Sequence, residues 1–130
     1  MILLDTHAVL WLAFDPAKVS KKARMAIEEA RRSGDGLAIS DITLLEITNL
    51  ERKRRVVLRS TLETFLNEIE TRFSVLAMTA RVCVRSASLP ASYPSDPADR
   101  VIGATALVEG IPLVTADEEI RRSKALPVIW

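Results

Sequence analysis

Apolar runs too short to be helices recur between helical patterns along this chain, and that alternation limits the fold more than any other feature. Ile2–Leu4, Leu37–Ser40, FSVLAM (73–78), Leu113–Val114 and the closing PVIW have strand character. Residues 6–13 read as helix. After Asp15-Pro16 an amphipathic, exposed helix is expected, with Ser20 as N-cap, Ala23, Ala26, Ile27 and Ala30 on one face and Gly34 at its end. DITLLEITNLERKRR (41–55), 61–71, 79–88 and 100–109 are further helices, the last stopped by Gly110. LPASYPSDPAD holds three of the six prolines and reads as an irregular loop, and LVTADEE as strand, turn and helix. Strands alternating with helices imply an α/β fold with a parallel sheet covered on both faces, and the uninterrupted ILL suits a strand buried on both sides. At 130 residues the chain is expected to be a single domain, 1–130.

The rarer residues exclude several chemistries. One cysteine, Cys83, and one histidine, His7, cannot make an intrachain disulfide, a cysteine-rich zinc site or a Cys/His nucleophile pair. Cys83, among apolar neighbours, reads as a small core residue. No apolar stretch approaches the roughly 18 residues needed to span a bilayer, so a soluble, cytoplasmic protein without membrane attachment is expected. Net charge is +1, from 18 Lys and Arg against 17 Asp and Glu, which alone argues for no partner.

The acids deserve sorting by position, because ligands in open α/β sheets bind outside the carboxyl ends of the strands. Asp5 directly follows the first strand. Asp117 lies three residues past Val114, Glu46 six residues past Ser40 in the second turn of a helix, and Asp99 follows the proline-rich loop. Asp5 is open to two readings, helix cap or ligand. Asp96 before Pro97 reads as an N-cap, with Asp99 as the acid of the same capping arrangement. Thr115 to Glu118 fits a capping box in which Glu118 reciprocates, leaving Asp117 without a task. Glu46 resists such explanations. It falls about 40° from both Ile42 and Leu50 on the helical wheel, with Leu44, Leu45 and Ile47 read as burying the other sides. A carboxylate there costs several kcal/mol unless protonated, paired or metal-bound, and no Lys or Arg stands three or four positions away.

One site accounts for all four acids. Converging carboxylates without cations repel one another unless a divalent ion supplies the missing charge, and oxygen-only ligands suit Mg²⁺ or Mn²⁺, one ion or two. Such clusters commonly serve phosphoryl chemistry. With the four acids neutralised, 18 basic residues face the remaining 13 of the 17 acids. Arg52, Lys53, Arg54, Arg55 and Arg59 could contact phosphates or complement the end of a helix dipole.

MILLDTHAVLWL at the start, S-D-I-T-L-L-E at 40–46, DPADRVIGATAL at 96–107 and LVTADEEI at 113–120 together resemble the PIN-domain ribonucleases, in particular the VapC toxins of toxin–antitoxin pairs. The resemblance spans nearly the whole chain in family order. It implies a three-layer α/β/α sandwich with a central, mainly parallel sheet, Mg²⁺- or Mn²⁺-dependent endoribonuclease activity on RNA, inhibition by a VapB-like antitoxin, and a homodimer. Position by position, the family's acids fall on Asp5, Glu46, Asp99 and Asp117, as catalytic and metal-ligating residues. Ser40, Thr43 and Thr115 match the polar residues that support the cluster through hydrogen bonds. Asp96 is left to capping, and His7 is read as a core or hydrogen-bonding residue. Arg52, Arg54, Arg55 and Arg100 are candidates for the RNA backbone. Two other readings compete. A metal-dependent phosphatase or receiver-like domain also places Asp at strand ends, but the second Asp that haloacid-dehalogenase phosphatases want is here His7, and the receiver lysine is missing after Leu113–Thr115. A PIN-like module that binds RNA or protein without cutting is the rival from another class.

Overall fold

Five parallel strands form the sheet of the computed structural model, which describes all 130 residues. The strands are β1 (Ile2–Leu4), β2 (Leu37–Ser40), β3 (Ser74–Leu76), β4 (Leu113–Val114) and β5 (Val128–Ile129), in the spatial order β3-β2-β1-β4-β5. Seven α-helices connect them: α1 (Thr6–Phe14), α2 (Lys21–Ser33), α3 (Asp41–Arg52), α4 (Leu62–Arg72), α5 (Ala80–Ala87), α6 (Pro97–Glu109) and α7 (Glu118–Ser123). The expected α/β/α layering is present, and the sheet is wholly parallel.

Strand periodicity explains the layering. Because successive strand residues point to opposite faces, Ile2 and Leu4 enter one core with Leu37, Ile39 and Val114, against α1, α2 and α4. Leu3, Ala38 and Leu113 enter a second core on the other face with Ile102 and Ala106 of α6 and Ile120 of α7. Leu3, Leu4, Ile39 and Leu113 are entirely buried, each contributing on the order of 1.5–3 kcal/mol relative to exposure. That leaves no freedom in the position of the residue after Leu4.

Side-chain caps open six of the helices, those at Ser20 and Asp96 as expected from the sequence. Ser20, Ser40, Thr61, Thr79, Asp96 and Asp117 each accept a backbone N–H of the helix they precede, and Gly34 and Gly110 close α2 and α6 in the left-handed conformation. α6 begins at Pro97, three residues before the expected Arg100, because Asp96 caps it and Pro97 presets the first turn. The third strand shrinks to Ser74–Leu76, since at the sheet edge it pairs only with β2, through Ala38↔Ser74, Ile39↔Val75 and Ser40↔Leu76. α3 stops at Arg52, and Arg54 turns the chain with φ 57°. Gly103 is required for contact rather than for a turn: a Cβ there would collide with the hydroxyl of Tyr93.

Two core expectations fail. Cys83 is exposed, because α5 is a surface helix whose only buried residue is Val82. Leu45 is 54% exposed, so α3 buries a narrower stripe, with Thr43 and Ile47 at its centre.

Candidate active site

The order in which strands are added reverses at β1: β2 and β3 lie on one side, β4 and β5 on the other. A crevice at the carboxyl ends of strands forms at such a switch point. Asp5 sits there, its backbone N–H still donating to the carbonyl of Val114 on β4 at 3.0 Å. The residue is 8% exposed. Oδ1 accepts the Thr6 N–H at 2.7 Å and Oδ2 the Thr115 hydroxyl at 2.7 Å. Asp5 occupies the N-cap position of α1 but bonds only the adjacent N–H, short of the second or third helical residue that a capping side chain serves. Its second oxygen goes instead to another strand end.

Thr6 organises the opposite wall. Its hydroxyl donates to Glu46 Oε1 at 2.6 Å and lies 3.1 Å from the Thr43 hydroxyl. Glu46, half-buried on α3, is thereby joined to the end of β1. Asp99 stands half-buried in the first turn of α6; its N–H donates to Asp96 Oδ2 at 3.1 Å, its carbonyl accepts the Tyr93 hydroxyl at 2.9 Å, and its carboxylate accepts no hydrogen bond from the protein. Asp117 caps α7, Oδ1 accepting from the Ile120 N–H at 3.0 Å, and its own N–H donates to Thr115 Oγ1 at 3.1 Å. Asp117, not Thr115 with Glu118, is therefore the cap.

Electrostatics tie these groups together. Burial raises the Asp5 carboxyl above its ordinary range, with the Thr115 and Thr6 hydrogen bonds pulling the other way. Burial also raises Glu46, against the Thr6 hydrogen bond and with the Asp5 and Asp96 charges adding to the rise. Asp99 is pushed to about 7, by burial first and then by the charges of Asp5, Asp96, Glu46 and Asp117. No Lys or Arg pairs with them: the protein's two ion pairs, Lys18–Asp15 and Arg32–Glu29, are exposed and involve none of these acids, and the one basic group that acts on Asp5 and Glu46 is His7, whose charge opposes their rise. The donors are all oxygens, the preference of Mg²⁺ and Mn²⁺. No three of the acids stand close enough to form a closed ligand cage.

The remaining sequence candidates divide. Thr115 and Thr43 are hydrogen-bonded into the cluster, directly and through Thr6, whereas Ser40 spends its hydroxyl on the Ile42 N–H at 3.3 Å. Arg52, Arg54 and Arg55 are exposed. Arg100 is committed to the fold: Nε, Nη1 and Nη2 donate to the carbonyls of Ser86, Pro94 and Leu89 at 3.2, 3.3 and 3.1 Å, holding the proline-rich loop. His7 is exposed and makes no hydrogen bond, contrary to its expected place; its neighbour is Trp11, at 6.1 Å between ring centroids. Thr6 and Tyr93 escaped the sequence reading. Thr6 follows Asp5 and looks like an ordinary helix start; nothing local reveals that it faces a helix 40 residues away.

The wholly parallel sheet with acids at its switch point defines a class. The PIN-domain family model matches residues 2–126, and the chain belongs to that family. It is 35% identical over 120 residues to Ribonuclease VapC22 of Mycobacterium tuberculosis, across 92% of this chain and 89% of that protein. The fold is also that of DNA-bound VapBC from Salmonella typhimurium (TM-score 0.72, 19% identity, 98% of this chain and 97% of that one) and of VapBC2 from Rickettsia felis bound to a promoter fragment (0.71, 18%, 98% and 97%).

Proposed function

We propose that the protein is a Mg²⁺- or Mn²⁺-dependent endoribonuclease, the toxin of a type II toxin–antitoxin pair neutralised by a VapB-like antitoxin. The observation that carries this reading is the set of carboxylates, Asp5, Glu46 and Asp99, buried or half-buried together at the switch point with no Lys or Arg paired to them. The names of the curated relative and of the structural neighbours supply the toxin–antitoxin context. Asp5, Glu46, Asp99 and Asp117 would hold one or two ions, which when bound would neutralise the acids and supply activation of water and stabilisation of charge on the phosphate oxygens. The chain's own contribution is position. β1 and the Thr6 and Thr115 hydrogen bonds immobilise Asp5, Thr6 anchors Glu46 to the same strand end, and the N-caps at Asp96 and Asp117 set the first turns of α6 and α7. The protein supplies orientation and field, with no covalent nucleophile of its own.

Arg52, Arg54 and Arg55 are left to contact the RNA backbone, since Arg100 is occupied with loop carbonyls. An antitoxin tail that places an Arg among the unpaired acids would neutralise them as a metal does. Leu45 and Met78, both exposed, are brought to the same end of α3 by the Met78 N–H bond to Asp41, and offer an apolar surface to a second copy.

The test is RNA cleavage with Mg²⁺ or Mn²⁺, with chelator, and with Asp5→Asn. Activity is expected to vanish in chelator and to fall in the variant by more than the roughly 10–100-fold that outer partners of a metal site are worth. Cleavage that survives either change overturns the mechanism. Calorimetry that detects no metal binding favours a non-catalytic RNA- or protein-binding module instead.

A further inference from the structure

A strip of aromatic rings leaves the acidic site and ends in a basic pocket that none of the acids uses. His7, exposed, lies two residues beyond Asp5. Its ring centroid is 6.1 Å from that of Trp11 with the planes tilted by 58°, and the Trp11 ring is 5.7 Å from Trp130, tilted by 53°; Trp130 follows β5 at the other side of the switch point. Lys18 lies over Trp11, 5.7 Å from the ring, and its ion pair with Asp15 at 3.6 Å is exposed and therefore weak. Beyond Trp130 an open pocket of about 640 Å³ runs along the outer side of β5, lined by Lys22 of α2, Arg121 of α7 and Lys124 together with 125–128 and Trp130. Lys22, Arg121 and Lys124 are exposed and belong to neither of the protein's ion pairs.

Core packing accounts for part of this arrangement, since both tryptophans are half-buried and pack against the first core. It does not account for three cations outside any ion pair lining the pocket that Trp130 also borders. Rings in file with cations alongside are what proteins use for single-stranded nucleic acid: bases stack on the rings and the backbone follows the charge.

We propose that His7, Trp11 and Trp130 with Lys22, Arg121 and Lys124 form a positioning track for single-stranded RNA leading away from the acidic site. The track rests on the nuclease reading only for the identity of its strand. Stacking is indifferent to sequence, so the track orients the strand and leaves base selection to other surfaces. Duplex RNA, whose bases are already stacked in pairs, has no faces to offer it.

The chain's only two tryptophans, Trp11 and Trp130, are both in the track, so intrinsic fluorescence reports its occupancy directly. The full-length protein is titrated in EDTA with a mixed-sequence single-stranded oligoribonucleotide. The expected result is saturable quenching, absent with a perfect duplex. In the variant combining Lys22→Glu, Arg121→Glu and Lys124→Glu, checked for unchanged melting, the quench is expected to weaken at least tenfold in apparent affinity. The slope of log K against log salt should shrink by about 2, from three lost phosphate contacts at roughly 0.7 each. In metal, the same variant should raise KM about tenfold more than it lowers kcat. Wild-type protein that cleaves RNA with no quench and no effect of the charge reversals overturns the track and leaves the nuclease reading standing. Quenching without cleavage in any metal supports the track and removes the nuclease reading. Insensitivity to RNA, with quenching by the antitoxin that the charge reversals abolish, assigns the strip to a protein partner and overturns the proposal.

Discussion

At Asp99, burial and the charges of four neighbouring acids act in one direction, toward the proton. Its folded-state value of about 7 lies above the ordinary 3.8, so the folded protein binds that proton more tightly than the unfolded chain does. The stabilisation is therefore complete below about 4 and is lost as the pH rises through about 7. Asp5 and Glu46, also raised, contribute with the same sign. Metal-free protein should melt higher at pH 5 than at pH 7.5, and Asp99→Asn, which cannot ionise, should flatten the difference while abolishing cleavage; thermal melts in EDTA at the two pH values check both. Thr6→Val tests the hinge between β1 and α3. It deletes the hydroxyl that donates to Glu46 and meets Thr43, so it should cost about 1–3 kcal/mol in denaturant melts and weaken metal binding by roughly 10–100-fold in calorimetry. Thr6→Ser should restore most of both.

At the scale of elements, α7 serves two purposes through one residue. Asp117 caps the helix with Oδ1 and belongs to the charge cluster around Asp99. Asp117→Ala should lose the cap, about 1 kcal/mol, together with the charge. Asp117→Ser should keep the cap and lose the charge, so any activity defect shared by both variants belongs to the carboxylate; paired melts and cleavage assays separate the two roles. The same residue shows the reach of local reading. Thr115 to Glu118 satisfies a capping-box pattern, yet Thr115 turns its hydroxyl to Asp5, 110 residues away in sequence, and Asp117 takes the cap. Capping at Ser20 and Asp96 was legible because donor and acceptor are three residues apart. The exposure of Leu45, Cys83 and His7 was not, because a helical wheel identifies an apolar side without saying how much of it a neighbour covers.

For the whole molecule, the cluster makes metal binding part of stability. A divalent ion that binds only the folded state adds RT ln(1 + [L]/Kd), about 2.7 kcal/mol at a hundredfold excess over Kd. Because the ion must displace protons from raised carboxylates, its melting shift should be larger at pH 7.5 than at pH 5, and differential scanning with Mn²⁺ at both pH values checks this. No helix is long and apolar enough to cross a membrane, and the buried surface goes instead to the two faces of the sheet.

The order of strands and helices, the caps at Ser20 and Asp96 and the four candidate acids could be read along the chain, because periodicity and capping act over a few residues. The spatial order β3-β2-β1-β4-β5, which puts β1 and β4 side by side and so brings Asp5 to Thr115, was decided only by packing. So were Thr6 as the link to Glu46 and the row from His7 to Trp130. A hydrogen bond or a ring contact between distant segments depends on strand register and helix placement, which the whole core determines at once.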